Sequence, residues 1–147
     1  MQEKLRLSKS QGASTPIVLK SMQNVPYALA VGYLTDADDL KSQTRYVFIL
    51  NSGAVDWKSA TQSIFATSSA EAEYIAAYDA SKEAVWVRKF IYGLGVVPTI
   101  EDPISMYCDN TGAITIANES GITKAARNFR AKVHYLRGVI KFGDPHK

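Results

Sequence analysis

The chain has 147 residues, 46% hydrophobic and 21% charged, which suits one soluble globular domain with a sizeable core better than two small ones. Its single cysteine, Cys108, excludes an internal disulfide and a thiolate zinc cluster and points to an intracellular protein. No apolar run is long enough to cross a bilayer, and the amino terminus MQEKLRLSKSQGASTP has no hydrophobic export core, so neither export nor membrane anchoring is expected. The net charge of +3 is small but uneven: beyond Ile122 lie Lys124, Arg127, Arg130, Lys132, Arg137, Lys141 and Lys147 against Asp144 alone. Such a stretch suits a polyanion or forms a solvated helix face.

In chain order, residues 1–24 are polar, without a sustained period, and read as a flexible lead-in. Val25 to Leu34, VPYALAVGYL, is apolar enough for a buried strand or a short helix, and Gly32 weakens the helix. After a polar turn region, Tyr46 to Asn51 (YVFILN) is dense in β-formers. The break at Ser52-Gly53 before AVDWKSATQS signals a hairpin. With Leu29 to Thr35 also extended, the front half is a three-stranded antiparallel meander.

The central stretch runs from Ser68 to Gly95. Ser68 and Glu71 form an S-x-x-E helix start, and Gly93 and Gly95 supply the stop. A core-facing stripe passes through Ala77, Ala80, Ala84, Val87 and Ile91. One step back it meets Glu73, an ionised group heading an apolar face, which is costly unless metal, water or donors meet it there. Alternatively, Glu73 lies at the rim and favours the helix dipole. Glu71 points elsewhere around the helix and reads as a cap.

Past Pro103, Ile104 to Cys108 is a short strand ending at Asp109-Asn110, and TGAITIANES is a short helix. Strand, helix, strand implies a crossover and a parallel strand beside the meander, giving a mixed α/β sheet flanked by helices. Asp109 then stands at the carboxyl end of a strand, where open α/β sheets place their chemistry. A helix N-cap is the other role for Asp109 or Asn110. Ala125 to Phe142 is a basic amphipathic helix with Phe129, Val133, Leu136 and Ile140 on its apolar side. His134 lies beside that side, with no metal-spaced partner.

Together the words KSQTRYVFILNSGAVDWKSATQS, SSAEAEYIAAYDASKEAVWVRKF and ISMYCDNTGAITIAN, with VHYLR as a weaker echo, resemble the ribonuclease H domain of copia-type retrotransposon Pol polyproteins. They run in order from about Lys41 to Asn118. LSKSQGASTPIVLKSMQNVPYALAVG resembles the segment that closes the reverse transcriptase region of such polyproteins, making residues 1–24 a remnant of the polymerase end and 25–147 the nuclease-like domain. The resemblance implies a ribonuclease H-like fold in which carboxylates hold two magnesium ions. Glu73 corresponds to the acidic residue of the central helix, and Asp109 to the aspartate after the fourth strand. Two such ions, roughly 4 Å apart, serve the attacking and leaving oxygens of phosphodiester hydrolysis.

The chain departs from the pattern in three places. Aligning on the word Asp36 to Ser42 puts Ala30 where the family has its first catalytic aspartate; Asp36, in GYLTDAD, is a candidate substitute ligand or a turn residue. The family's last strand and helix, with a further aspartate, have no counterpart before Lys147. Where relatives read KHIDIRYH, this chain has RNFRAKVH. The implied activity is magnesium-dependent hydrolysis of the RNA strand of RNA–DNA hybrids, impaired here, with Glu73, Asp109 and Asp36 as catalytic metal ligands. Lys124, Arg127 and Lys132 would lie near the backbone of the nucleic acid. The implied partners are nucleic acid and a reverse transcriptase domain of the parent polyprotein, not a small-molecule substrate. The alternatives are an inactive nucleic-acid-binding module and a transposon remnant.

Overall fold

The computed structural model describes residues 6–9, 27–33, 41–50, 52–95, 104–118 and 129–142. The β-rich segment Gln43–Leu50 forms strand β3 and turns back through Ser52, whose φ of 64° lies in the left-handed region, into β4, Gly53–Thr61. These two strands pair antiparallel, with a bulge at Phe48/Ile49. Period-two patterning sorts β3 cleanly: Thr44, Tyr46 and Phe48 are buried on one face while Arg45 is exposed on the other. β2, Tyr27–Tyr33, pairs antiparallel with β3 and parallel with β5, Ser105–Cys108. The expected meander and parallel strand are therefore both present.

The sheet has five strands in the order β1-β5-β2-β3-β4. β1 is Arg6–Lys9, which lies parallel to β5 from Arg6↔Ser105 to Lys9↔Cys108. Four residues of the stretch expected to be a flexible lead-in thus form a strand. The reason is backbone chemistry: without β1, one side of β5 would present unpaired N–H and C=O groups, and any extended segment can satisfy them.

Helix α1, Ser69–Gly93, packs on β2 and β3. Its start is fixed as the sequence indicates: Ser68 Oγ accepts the Glu71 N–H at 3.2 Å, while Glu71 Oε2 accepts from the Thr67 N–H (2.7 Å) and hydroxyl (2.8 Å). At the other end the Gly95 N–H donates to the Tyr92 carbonyl, and Gly95 takes a φ of 66°. Ala77, Ala80, Ala84, Val87 and Ile91 are all buried, so the stripe is the core face. From Glu71 to Ala77 the helix is buried on every side, because Ile64 and Ala66 cover Ala72 and Ile75 from the flank away from the main core.

Helix α2, Thr111–Asn118, contacts α1, β5 and β1, and helix α3, Arg130–Phe142, contacts α1 and α2. On α3 the buried residues are Val133, Leu136 and Val139, with Phe129 just before the helix. Ile140, expected on this side, is only partly buried, and His134 is exposed. The expected start of this helix, 125–128, lies outside the described residues. Arg137 joins α3 to α2 by donating from Nε and Nη2 to the Ile116 carbonyl at 3.2 and 2.7 Å, satisfying an acceptor near the α2 carboxyl end. Among the described residues no helix is long and apolar enough to cross a membrane.

Candidate functional site

The end of β5 and the first turns of α1 meet at Cys108. The burial alternation of β5 turns Met106 and Cys108 into the core, and the Cys108 thiol donates to Glu73 Oε2 at 3.3 Å. Glu73, only 5% exposed, is thus a buried carboxylate met by a donor, as the apolar stripe demands. Asp109, the next residue after Cys108, is exposed.

Asn110 frees Asp109 from capping. Its Oδ1 accepts the Ala113 N–H at 3.2 Å and its carbonyl accepts the Ile114 N–H at 3.2 Å, so Asn110 is the N-cap of α2. Gly112 lets α2 come close to α1: a Cβ there would lie 3.0 Å from the Ala70 Cβ and 3.1 Å from Asn110 Oδ1. Cap and glycine together draw the Asp109 corner toward the turn of α1 that carries Glu73.

The thiol registers both carboxylates. Burial is the main reason its pKa is pushed up from 9.0 to about 12, and the charges of Glu73 and Asp109 add to the rise. A hydrogen bond with the Asn110 backbone acts the other way. At pH 8 in metal-free buffer, iodoacetamide is expected to alkylate Cys108 on the order of a thousandfold more slowly in the folded chain than in the unfolded one, because the thiolate is the nucleophile. Comparable rates before and after unfolding would disprove this burial and charge environment.

The other candidates fall differently. Asp36, Lys124 and Arg127 lie outside the described residues. Lys132 sits at the α1–α3 junction, 3.4 Å from Asp79 Oδ1 and 4.3 Å from the centre of the Tyr78 ring. Its ammonium therefore already faces an anion and an aromatic ring on α1. Ala30 lies in β2 directly opposite Tyr46 of β3, and the β2/β5 register runs through Ala28↔Met106 to Leu29↔Tyr107, one residue short of Ala30 on one strand and of Cys108 on the other. An apolar residue therefore occupies the β2 position that pairs with Tyr46.

Two carboxylates suit one hydrated magnesium ion, which keeps several waters when protein supplies few oxygens. Among the described residues no group of three His, Cys, Asp or Glu side chains is placed to hold a metal ion. Among the described residues the donor set there does not fit a pair of ions. Sequence patterning gives Cys108 no role in the site; its signal is its place immediately before Asp109 on the inward phase of a short strand.

No protein-family model matches the chain. Over 105 residues, 71% of the chain, it is 33% identical to the retrovirus-related Pol polyprotein from transposon TNT 1-94 of Nicotiana tabacum, covering 8% of that protein. Over 108 residues, 74% of the chain, it is 28% identical to the retrovirus-related Pol polyprotein from transposon RE2 of Arabidopsis thaliana, covering 7% of it. A shorter match, 44% over 52 residues, is to the secreted RxLR effector protein 161 of Plasmopara viticola and covers 35% of the chain and 37% of that protein. The chain thus spans less than a tenth of the Pol polyproteins it matches. It belongs to the retrovirus-related Pol polyproteins of transposons, the copia-type group indicated by its motifs, and corresponds to one short region of them.

Proposed function

We propose that this Pol region is a ribonuclease H-like domain spanning residues 25–147, whose ancestral activity is divalent-metal-dependent hydrolysis of the RNA strand of RNA–DNA hybrids, and that this copy performs it weakly. The observation that carries the reading is the contact between the Cys108 thiol and Glu73, which ties the strand end bearing Asp109 to the first turns of α1. The order of strands, an antiparallel meander with β5 parallel to its first strand, supports the same reading.

In this mechanism Glu73 and Asp109 would hold the cation. Cys108 fixes one oxygen of Glu73, and exposure of Asp109 leaves the outer side of the site open to a phosphodiester. A bound divalent ion would lower the pKa of a coordinated water and offset charge on the scissile phosphate. Lys124 and Arg127 are proposed phosphate contacts. Lys132 would join them only by leaving Asp79. In a parent polyprotein a reverse transcriptase domain would precede this region and deliver its hybrid.

Ala30 in β2 favours a second reading, a nucleic-acid-binding module that retains the fold without turnover. A labelled hybrid incubated with the chain in millimolar magnesium distinguishes them. The nuclease reading expects slow cleavage that Glu73→Gln or Asp109→Asn abolishes, with binding that weakens as salt rises. Hybrid binding with no cleavage assigns the module, and absence of both together with non-cooperative unfolding assigns a remnant.

A further inference from the structure

β4 is an edge strand, and among the described residues no strand lies beyond it. Most of its nine residues are exposed, including Val55 and Trp57, the latter at 70%. An edge of this length is a template for another strand unless charge, proline or a bulge blocks it. β4 contains no proline; its bulge is at Val55, where the register passes from Phe48↔Asp56 to Ile49↔Ala54, which leaves Asp56 to Thr61 as the regular edge. Its two charged residues, Asp56 and Lys58, flank Trp57, which is the midpoint of Gly53–Thr61.

We propose that β4 pairs antiparallel with β4 of a second copy of this chain about a two-fold axis at Trp57, joining two five-stranded sheets into one. A two-fold axis between identical antiparallel strands must pass through a pair of facing residues, so the possible registers are centred on single residues. Centred on Trp57, the register sets Asp56 opposite Lys58 of the second copy and Lys58 opposite its Asp56. On the Gly53 side of Asp56 the bulge interrupts regular pairing, so the three facing pairs at 56, 57 and 58 carry the register. A shift of the centre to residue 56 sets aspartate against aspartate, and a shift to 58 sets lysine against lysine. The charges that ordinarily guard an edge therefore select one self-complementary register here and oppose its neighbours.

The sheet faces agree with that register. Asp56 and Lys58 are partnered across the sheet with Phe48 and Tyr46, so both ion pairs lie on the helix-covered side. Trp57 is partnered with Val47, which places the two tryptophans together on the opposite face.

Sedimentation of the full chain tests the proposal. The native chain is expected to dimerise, and Asp56→Lys or Lys58→Glu alone to raise the dimer dissociation constant about tenfold or more, each setting like charges opposite each other. The double variant D56K/K58D, whose charges are exchanged but again complementary, is expected to recover the dimer. Independently, Trp57→Cys is expected to form an intermolecular disulfide on oxidation, since facing Cα atoms in an antiparallel pair are about 4.5–5.5 Å apart, within disulfide reach. A chain monomeric at about 0.1 mM, a dimer indifferent to Lys58→Glu, failure of the exchanged variant to recover, or absence of the cross-link would each overturn the proposal, the concentration being well above that at which stable complexes dissociate. Quenching of Trp57 fluorescence by a hybrid in a chain that stays monomeric would assign the edge to nucleic acid and overturn it as well.

Discussion

Replacing Ala30 with aspartate is expected to raise magnesium-dependent cleavage of an RNA–DNA hybrid on the order of ten- to a hundredfold, because a third carboxylate would join two that are short of donors for phosphoryl chemistry. The expectation rests on register. Position 30 pairs with Tyr46, which is buried on the side of the sheet that α1 covers, and the β2/β5 pairing runs to Leu29↔Tyr107, the residue before Cys108, whose thiol touches Glu73. The substitution has a cost without metal, since a carboxylate placed near Glu73 and Asp109 loses hydration and gains like-charge repulsion. Thermal stability of Ala30→Asp should therefore drop in EDTA and recover with magnesium. At tenfold over the dissociation constant the recovery is about 1.4 kcal/mol. The native chain should show a smaller response. Adding Glu73→Gln should erase both the gain in cleavage and the magnesium rescue. A variant that is destabilised equally with and without magnesium, and cleaves no faster, would show that position 30 does not look onto the carboxylate pair.

What could be read from the sequence was whatever the chain specifies locally. Ser68 and Glu71 cap α1 through bonds spanning a few residues, and Gly95 ends it through a backbone conformation that glycine adopts freely. The β3–β4 hairpin follows from alternation and the Ser52-Gly53 break, and of the two readings of Glu73, heading the inward stripe of α1 or lying at its rim, the buried one holds. Long-range partners were less legible. β1 is held in the sheet by backbone pairing, and RLSK carries no pattern that marks it as a strand. The thiol that meets Glu73 comes from 35 residues away and depends on the phase of a four-residue strand, too short for alternation to declare itself. Lys132 looked like part of a basic face, but α3 docks so that its ammonium meets Asp79 and Tyr78 of α1. Charge counted along the sequence does not register such pairing.

Tyr74→Ala is expected to cost about 3–5 kcal/mol of folding stability, a large share of the roughly 5–15 kcal/mol that holds a typical domain folded. Tyr74 is fully buried one residue beyond Glu73. Its ring lies 5.6 Å from that of Phe129, and its hydroxyl donates to the Val133 carbonyl at 3.4 Å, so one side chain joins the start of α1 to the start of α3. Truncation removes the ring and leaves a cavity between the two helices. Hydrogen exchange should then quicken first in α3, which loses its principal contact with that end of α1. Tyr74→Phe keeps the ring and removes only a long hydrogen bond, so it should cost no more than about 1 kcal/mol. The two variants also differ in base. Burial, opposed only by the charge of Arg137, holds the Tyr74 phenol protonated well above its ordinary 10.0. A folded-state pKa raised in this way contributes stability that is complete below pH 10 and is lost as pH climbs above it, because the unfolded chain releases the proton first. Tyr74→Phe should accordingly lose stability less steeply above pH 10 than the native chain, as read from denaturant midpoints at successive pH values. Equal slopes would mean that the phenol is not buried in the folded state, and a Tyr74→Ala penalty below 1 kcal/mol would mean that α3 does not rest on it.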